Sequence, residues 1–223
     1  MSRLPLILLA PVALIQGSRV RKSVPHLTPP AQRSGGSRAI GALRLLVLGD
    51  STAVGSGVDQ MPDAVAGQIA KRIEEPVAWR VVGTSGLTSG EVLEQHLAEA
   101  LAEPADLVVV LVGWNDALQL RSSRAFGDDL GALLAALEQH DPAARIVVVA
   151  PPRFGEFAVY PQPLRAALGA HARGLTATSE RVAAAHGALF VDGFDGVHVA
   201  SDEFHPDAVG YAQIAERIVA ALQ

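Results

Sequence analysis

Four short segments of the chain hold residue types suited to acyl-group chemistry. Gly49-Asp50-Ser51-Thr52-Ala53-Val54-Gly55-Ser56-Gly57 offers a hydroxyl at Ser51, and Gly83-Thr84-Ser85-Gly86-Leu87-Thr88-Ser89 offers a small-residue turn. Gly113-Trp114-Asn115-Asp116 offers a side-chain amide, and Asp202-Glu203-Phe204-His205-Pro206 pairs a carboxylate with an imidazole. A hydroxyl, a histidine, a carboxylate and amide donors together make the inventory of nucleophilic acyl transfer. Asp202 lies three residues before His205, so one turn can place both side chains on the same side. Each residue also has a plainer use. A serine after a strand commonly caps the next helix, and His205 can simply precede a helix begun by Pro206. Gly86 suits a turn with positive φ, and Asn115 suits an Asx turn.

The inventory has meaning only if the chain brings these segments together, and its hydrophobic pattern says that it does. Near-continuous apolar runs at 43–48, 77–82, 106–112, 146–150 and 189–191 read as buried parallel strands. Between them run helical stripes: Met61/Val65/Ile69/Ile73, Val92/Leu93/Leu97/Leu101, Leu130/Leu133/Leu134/Leu137, an Ala-rich stretch over 163–185, and Tyr211/Ile214/Ile218/Leu222. Five strand–helix repeats predict an α/β protein, a three-layer α/β/α sandwich on one five-stranded, mostly parallel sheet. In such a sheet ligands collect beyond the carboxyl ends of the strands. The first three segments directly follow a predicted strand, and the fourth closes the loop Asp192–Pro206 that follows the fifth, so all four should meet at one rim.

Composition narrows the function classes. The chain has 223 residues, enough for one full core, and 49% are hydrophobic. Cysteine is absent, which excludes thiol catalysis, disulfide scaffolds and Cys-ligated metals. A net charge of −5 argues against general nucleic-acid binding. Asp192, Asp195 and His198 lack a metal-ligand spacing and read as a polar loop, so no metal site is expected. His140 and His186 fall at helix ends, where pairing with the helix dipole accounts for them. The sequence contains no Gly-x-Ser-x-Gly elbow, phosphate-binding Gly-x-x-x-x-Gly-Lys loop or Gly-x-Gly-x-x-Gly fingerprint.

The charge divides the chain. Residues 1–40 hold six basic residues and no acid, leaving twelve basic against 23 acidic residues in 41–223. The leading segment carries an apolar run over 4–15, a basic flank at Arg19, Arg21 and Lys22, and a Pro/Gly-rich linker ending near Gly41. Such a run is short for a membrane span. We place first an element that contacts a membrane surface through residues 1–22, then a signal peptide of a secreted or periplasmic protein, then a terminal segment packed on its own domain. On this division residues 1–40 govern location, and 41–223 form the catalytic domain.

Taken together, Gly49-Asp50-Ser51, Gly86, Gly113-Trp114-Asn115-Asp116 and Asp202-Glu203-Phe204-His205-Pro206 resemble, in order and spacing, the four signature blocks of the SGNH (GDSL-type) esterases and lipases. The resemblance covers about residues 43–222. It implies the flavodoxin-like SGNH hydrolase fold and hydrolysis of carboxylic esters or thioesters through a serine acyl-enzyme, with no metal or organic cofactor. Carried onto this chain, it makes Ser51 the nucleophile, His205 the base and Asp202 its orienter. The oxyanion hole would comprise the backbone N–H groups of Ser51 and Gly86 and the amide of Asn115. Leu87, Trp114 and Phe204 are candidates for an apolar acyl wall, with core packing as their alternative; Trp114 stands where a smaller residue is expected. The substrate would be a small-molecule or lipid ester. Three other readings stay open: an acyltransferase on the same residues, a flavodoxin-like module cradling phosphate in the Gly49–Gly57 loop, and a non-catalytic tethered scaffold.

Overall fold

The computed structural model describes residues 15–17, 19–20, 25 and 27–223. All of the apolar run but Ile15, and most of its basic flank, lie outside the described residues, and with them the membrane-surface and signal-peptide readings. Among the described residues no helix is long and apolar enough to cross a membrane.

Six strands form one sheet: β1 Ser34–Gly36, β2 Leu43–Gly49, β3 Val77–Gly83, β4 Leu107–Leu111, β5 Arg145–Val149 and β6 Leu189–Val191. Their spatial order is β1-β3-β2-β4-β5-β6. β2 to β6 pair in parallel, with Gly49 opposite Gly83 on one side and Leu111 on the other. The central strands are buried on both faces, and β4 (Leu-Val-Val-Val-Leu) has no exposed residue, as its unbroken apolar run requires. The helices are α1 Val65–Ala70, α2 Ser89–Ala100, α3 Trp114–Leu118, α4 Ser123–His140, α5 Leu164–Ala185 and α6 Ala208–Ala221. α1 packs with α6, while α4 packs with both α2 and α5, so helices cover both faces of the sheet. The chain leaves β2 toward β3, then crosses back over β2 to β4. Ser51 and Trp114 therefore flank the point where the connections change direction, the place such sheets use for ligands.

Two expectations change. The sheet has six strands rather than five, because part of the expected linker is an edge strand. β1 pairs antiparallel with β3, setting Gly35 opposite Trp79. A Cβ on Gly35 would come within 2.5 Å of the Trp79 ring, so the glycine that reads as linker is what lets the indole lie across the edge. The rest of the stretch is also tied down: Pro30 is buried, and the Arg33 guanidinium donates to the carbonyls of Pro30 and Val54 at 3.1 and 3.5 Å. Further back, Gln16 accepts from the Leu164 N–H at 3.2 Å and donates to the Gln162 carbonyl at 2.8 Å, bracketing the start of α5. Second, the stripe Met61–Ile73 is not one helix. A 3-10 turn over Met61–Asp63 with Pro62 in its first turn is followed by Ala64 in extended conformation (ψ 172°), and only then does α1 begin.

Candidate active site

The rim segments converge through polar ties between neighbouring loops. Asn115 donates its side-chain amide to the Leu87 carbonyl at 2.9 Å. Asp116, fully buried, accepts from the Ser89 N–H at 2.9 Å and the Ser89 hydroxyl at 2.7 Å, with Arg121 Nε at 3.3 Å. These bonds pin the loop after β3 to that after β4. A capping box between Thr88 and Glu91 starts α2 at the same place, and its two Thr88 bonds hold the Glu91 carboxyl below its ordinary value. Ser56 and Ser85 hydroxyls meet at 3.1 Å, tying the loop after β2 to that after β3. Tyr211 on α6 donates its hydroxyl to the Ser56 carbonyl at 2.7 Å.

Ser51 follows β2 in a tight turn, its carbonyl accepting from the Ser56 N–H at 2.9 Å. It caps no helix: the next α-helix begins fourteen residues later, at Val65. This also leaves the Gly49–Gly57 loop without the adjoining helix N-terminus that a phosphate cradle needs. His205 Nε2 lies 2.8 Å from Ser51 Oγ, and His205 Nδ1 lies 2.5 Å from Asp202 Oδ2. The second carboxylate oxygen accepts the backbone N–H groups of Phe204 (3.1 Å) and His205 (3.0 Å). The loop that carries them is held by the Ala200 N–H to His205 carbonyl bond at 2.7 Å and by Glu203 in a left-handed conformation (φ 62°). Burial pushes Asp202 up, but the bonds and charge of His205 and the two backbone donors outweigh it, and its carboxyl sits below the ordinary value. Such an array can pass a proton from serine to histidine while an anionic carboxylate steadies the imidazolium. One expectation is corrected here. Pro206 is not the first helical residue: α6 starts at Ala208, and its Asp207 cap accepts from the Gly210 N–H at 2.8 Å.

Gly86 has φ +91°, and a Cβ there would meet nothing within 4 Å. The glycine is thus demanded by its left-handed backbone, and its open side leaves the N–H approachable. Asn115 uses one amide hydrogen on Leu87 and keeps the other. Asp50 is buried beneath the rim, accepting the Thr52 N–H at 3.1 Å and the backbone N–H of Trp114. Burial raises its carboxyl to about 7 despite these bonds, with the nearby Asp116 charge adding to the rise.

Of the three expected wall residues, Leu87 and Phe204 are half-buried at the rim. Trp114 is 2% exposed and sits inside an aromatic group. Its ring lies 5.3 Å from both Phe154 and Phe157, 5.2 Å from Phe204, and stacked at 18° on His205, 5.6 Å away. Phe154, Phe157 and Tyr160 come from the loop after β5, which the sequence reading passed over. The rule that selected the other loops, proximity to a strand's carboxyl end, also selects this one. Elsewhere, Asp192 and Asp195 pair with Arg153, and among the described residues no group of three or more His, Asp or Glu side chains could hold a metal. His140 pairs with Asp141 and His186 with Glu138, each at 3.0 Å, so carboxylates rather than helix dipoles partner both rings.

The fold and the geometry of the rim set a class, and comparison with known proteins gives it as a family. The profile of the GDSL-like lipase/acylhydrolase family matches residues 47–213. The chain belongs to that family, a class of ester hydrolases. It is 28% identical over 201 residues to a GDSL-like esterase of Mycobacterium tuberculosis, covering 81% of this chain but only 62% of that protein's length. It is also 28% identical over 209 residues to a lipase of Streptomyces rimosus, covering 74% of this chain and 77% of the lipase. Among solved structures, a lipolytic G-D-S-L family protein of Desulfitobacterium hafniense superposes with a TM-score of 0.66 at 15% identity, over 80% of this chain and 98% of that one. The acetylxylan esterase Axe2 of Geobacillus stearothermophilus does so with a TM-score of 0.62 at 18% identity, over 82% and 95%. At such identities these two likenesses speak for the fold.

Proposed function

We propose that the protein hydrolyses carboxylic esters or thioesters through a Ser51 acyl-enzyme. The observation that carries this reading is the unbroken chain from Ser51 Oγ through His205 to Asp202, at 2.8 and 2.5 Å. Ser51 Oγ attacks the acyl carbonyl as His205 Nε2 takes its proton. The developing oxyanion is met by the N–H groups of Ser51 and Gly86 and the free amide hydrogen of Asn115. His205 then returns the proton to the leaving alcohol or thiol. Water, deprotonated by the same ring, releases the acid and restores Ser51. An alcohol in place of that water would make the same site an acyltransferase. The substrates are small-molecule or lipid esters, with the half-buried Leu87 and Phe204 offering the acyl group an apolar flank.

The test uses a chain-length series of nitrophenyl esters together with a fluorophosphonate probe. Ser51→Ala should abolish both turnover and labelling while the protein keeps its melting temperature. Labelling that persists at another serine would overturn the assignment.

A further inference from the structure

The Trp114 indole is held against the histidine of the site, and packing alone does not account for its being a tryptophan. Its Nε1 is buried and has no hydrogen-bond partner among the described residues. Burying an indole N–H without an acceptor carries a penalty that a phenylalanine would avoid. That nitrogen is also inaccessible, so it cannot bond substrate. What tryptophan adds at this position is its larger and more electron-rich face, and that face is turned to His205, near-parallel at 18° with centroids 5.6 Å apart. Trp is the strongest of the aromatic side chains at attracting a cation within about 6 Å of its ring. The cation that matters for turnover forms when His205 takes the proton of Ser51.

We propose that Trp114 is a positioning residue for His205, fixing the imidazole between Ser51 and Asp202 and stabilising the imidazolium that forms during acyl transfer. The inference rests on the reading of Ser51, His205 and Asp202 as the reacting group. In the step concerned, the Ser51 Oγ–H bond breaks, its proton passes to Nε2, and a new Oγ–C bond turns the carbonyl into an oxyanion. The positive charge of that instant lies on the ring stacked against the indole. Phe204 completes the enclosure. Its ring is 4.3 Å from His205 and 5.2 Å from Trp114, so the three rings form a triangle rather than a sandwich. Trp114 is itself wedged by Phe154, Phe157 and Phe194, which leaves the indole little freedom to turn away.

Among the described residues Asp202 bonds the His205 ring from its own loop, Tyr160 in the loop after β5 and Tyr211 on α6 both feel the Asp202 charge, and Tyr211 also feels Asp50 below the β2 end. Burial pushes both tyrosines up, and Asp202 adds to the shift in each, so they stay neutral in the working range. Asp50 meets Trp114 through the backbone N–H, a bond that side-chain substitution leaves in place.

The experiment compares wild type with Trp114→Phe and Trp114→Leu in the full chain, following kcat and KM for nitrophenyl acetate between about pH 5 and pH 9. Losing the indole destabilises imidazolium, so the acid limb of kcat/KM should move to lower pH, by about 0.4 to 1.5 units in Trp114→Leu. Its kcat should fall on the order of tenfold with KM within about twofold, while Trp114→Phe falls between it and wild type in both respects. If Leu fails to fold, the limb of the Phe variant still reads the effect. An acid limb that stays in place, or a change confined to KM and acyl chain-length preference, would overturn the proposal and make Trp114 a packing or pocket residue. Ser51→Ala run alongside separates the two levels. If it is inactive while the limb stays in place, only the role of Trp114 falls; if it keeps turnover, the reading beneath falls too.

Discussion

Asp202 holds His205 by two separate handles: one carboxylate oxygen meets ring Nδ1 at 2.5 Å, and the other accepts the same residue's backbone N–H at 3.0 Å. Ring and main chain thus refer to a single buried carboxylate, and the imidazole cannot turn from Ser51 without breaking one of these bonds.

Asp202→Asn therefore tests orientation apart from space. The amide is the same size and can still accept the backbone N–H groups, but it can present a donor to Nδ1 and stabilise the wrong tautomer. We expect kcat to fall on the order of 10²–10⁴ with KM little changed. A kcat/KM within about twofold of wild type would remove Asp202 from the orienting role.

Asn115 donates one amide hydrogen to the Leu87 carbonyl, and on the proposed mechanism the other meets the oxyanion. Asn115→Ala should cost on the order of 10²–10³ in kcat, because that second hydrogen acts mainly in the transition state. A loss appearing in KM alone would make Asn115 a ground-state binding residue.

Much of this site is legible in the sequence because its chemistry sits directly after apolar runs, and such runs fix where strands end. Ser51, Gly86 and Asn115 each follow from that rule, while His205 stands at the far end of the long loop after β6 and is marked by its spacing from Asp202. The aromatic group was harder to see. Phe154, Phe157 and Tyr160 sit in an irregular loop without periodicity, and their approach to Trp114 depends on how that loop folds over the rim. β1 was hidden for another reason. Ser-Gly-Gly has little strand propensity, and the neighbours that give those glycines a use, the Trp79 ring and the Val77 carbonyl, are distant in sequence. The 3-10 interruption at Met61–Asp63 was signalled by Pro62, but a four-residue apolar spacing runs through it unbroken.

Asp50 makes stability depend on pH in a stated direction. Its carboxyl is raised by burial from 3.8 to about 7 in the folded protein. Below the unfolded value both states hold the proton and the contribution is fully present. As pH rises toward 7 the unfolded chain has released its proton, and folding must either take one up or bury a charge, so stability declines through that window and levels off above it. Asp202, held below its ordinary value, acts at more acid pH and with the opposite slope. Asp50→Asn should flatten the decline between about pH 4 and pH 7 in chemical-denaturation midpoints. Parallel curves for variant and wild type would show that Asp50 does not titrate there.

The last prediction concerns where the catalytic unit begins. Reading residues 1–40 as a tether predicts that a chain starting at Gly41 works as well as the whole. The contacts of 27–36 say otherwise. Arg33 accepts the Val81 N–H at 2.7 Å through its carbonyl and donates to Val54 in the turn after Ser51. β1 covers Trp79, which is only 6% exposed. Removing 1–40 uncovers that indole, leaves the β3 edge unpaired and strips a support from the turn after Ser51. Exposing much of one tryptophan costs about 2 kcal/mol, which in a domain of this size lowers the melting temperature by about 4–8 °C. A chain starting at Leu27 keeps all of these contacts and loses, among the described residues, the bracket that Gln16 makes at α5 and the packing of Val20 on the core. We expect it to melt close to the full-length protein and to match its kcat on nitrophenyl acetate, while the chain starting at Gly41 melts lower and turns over more slowly. Equal melting temperatures and equal kcat for the two truncated chains would restore the tether reading for the whole segment.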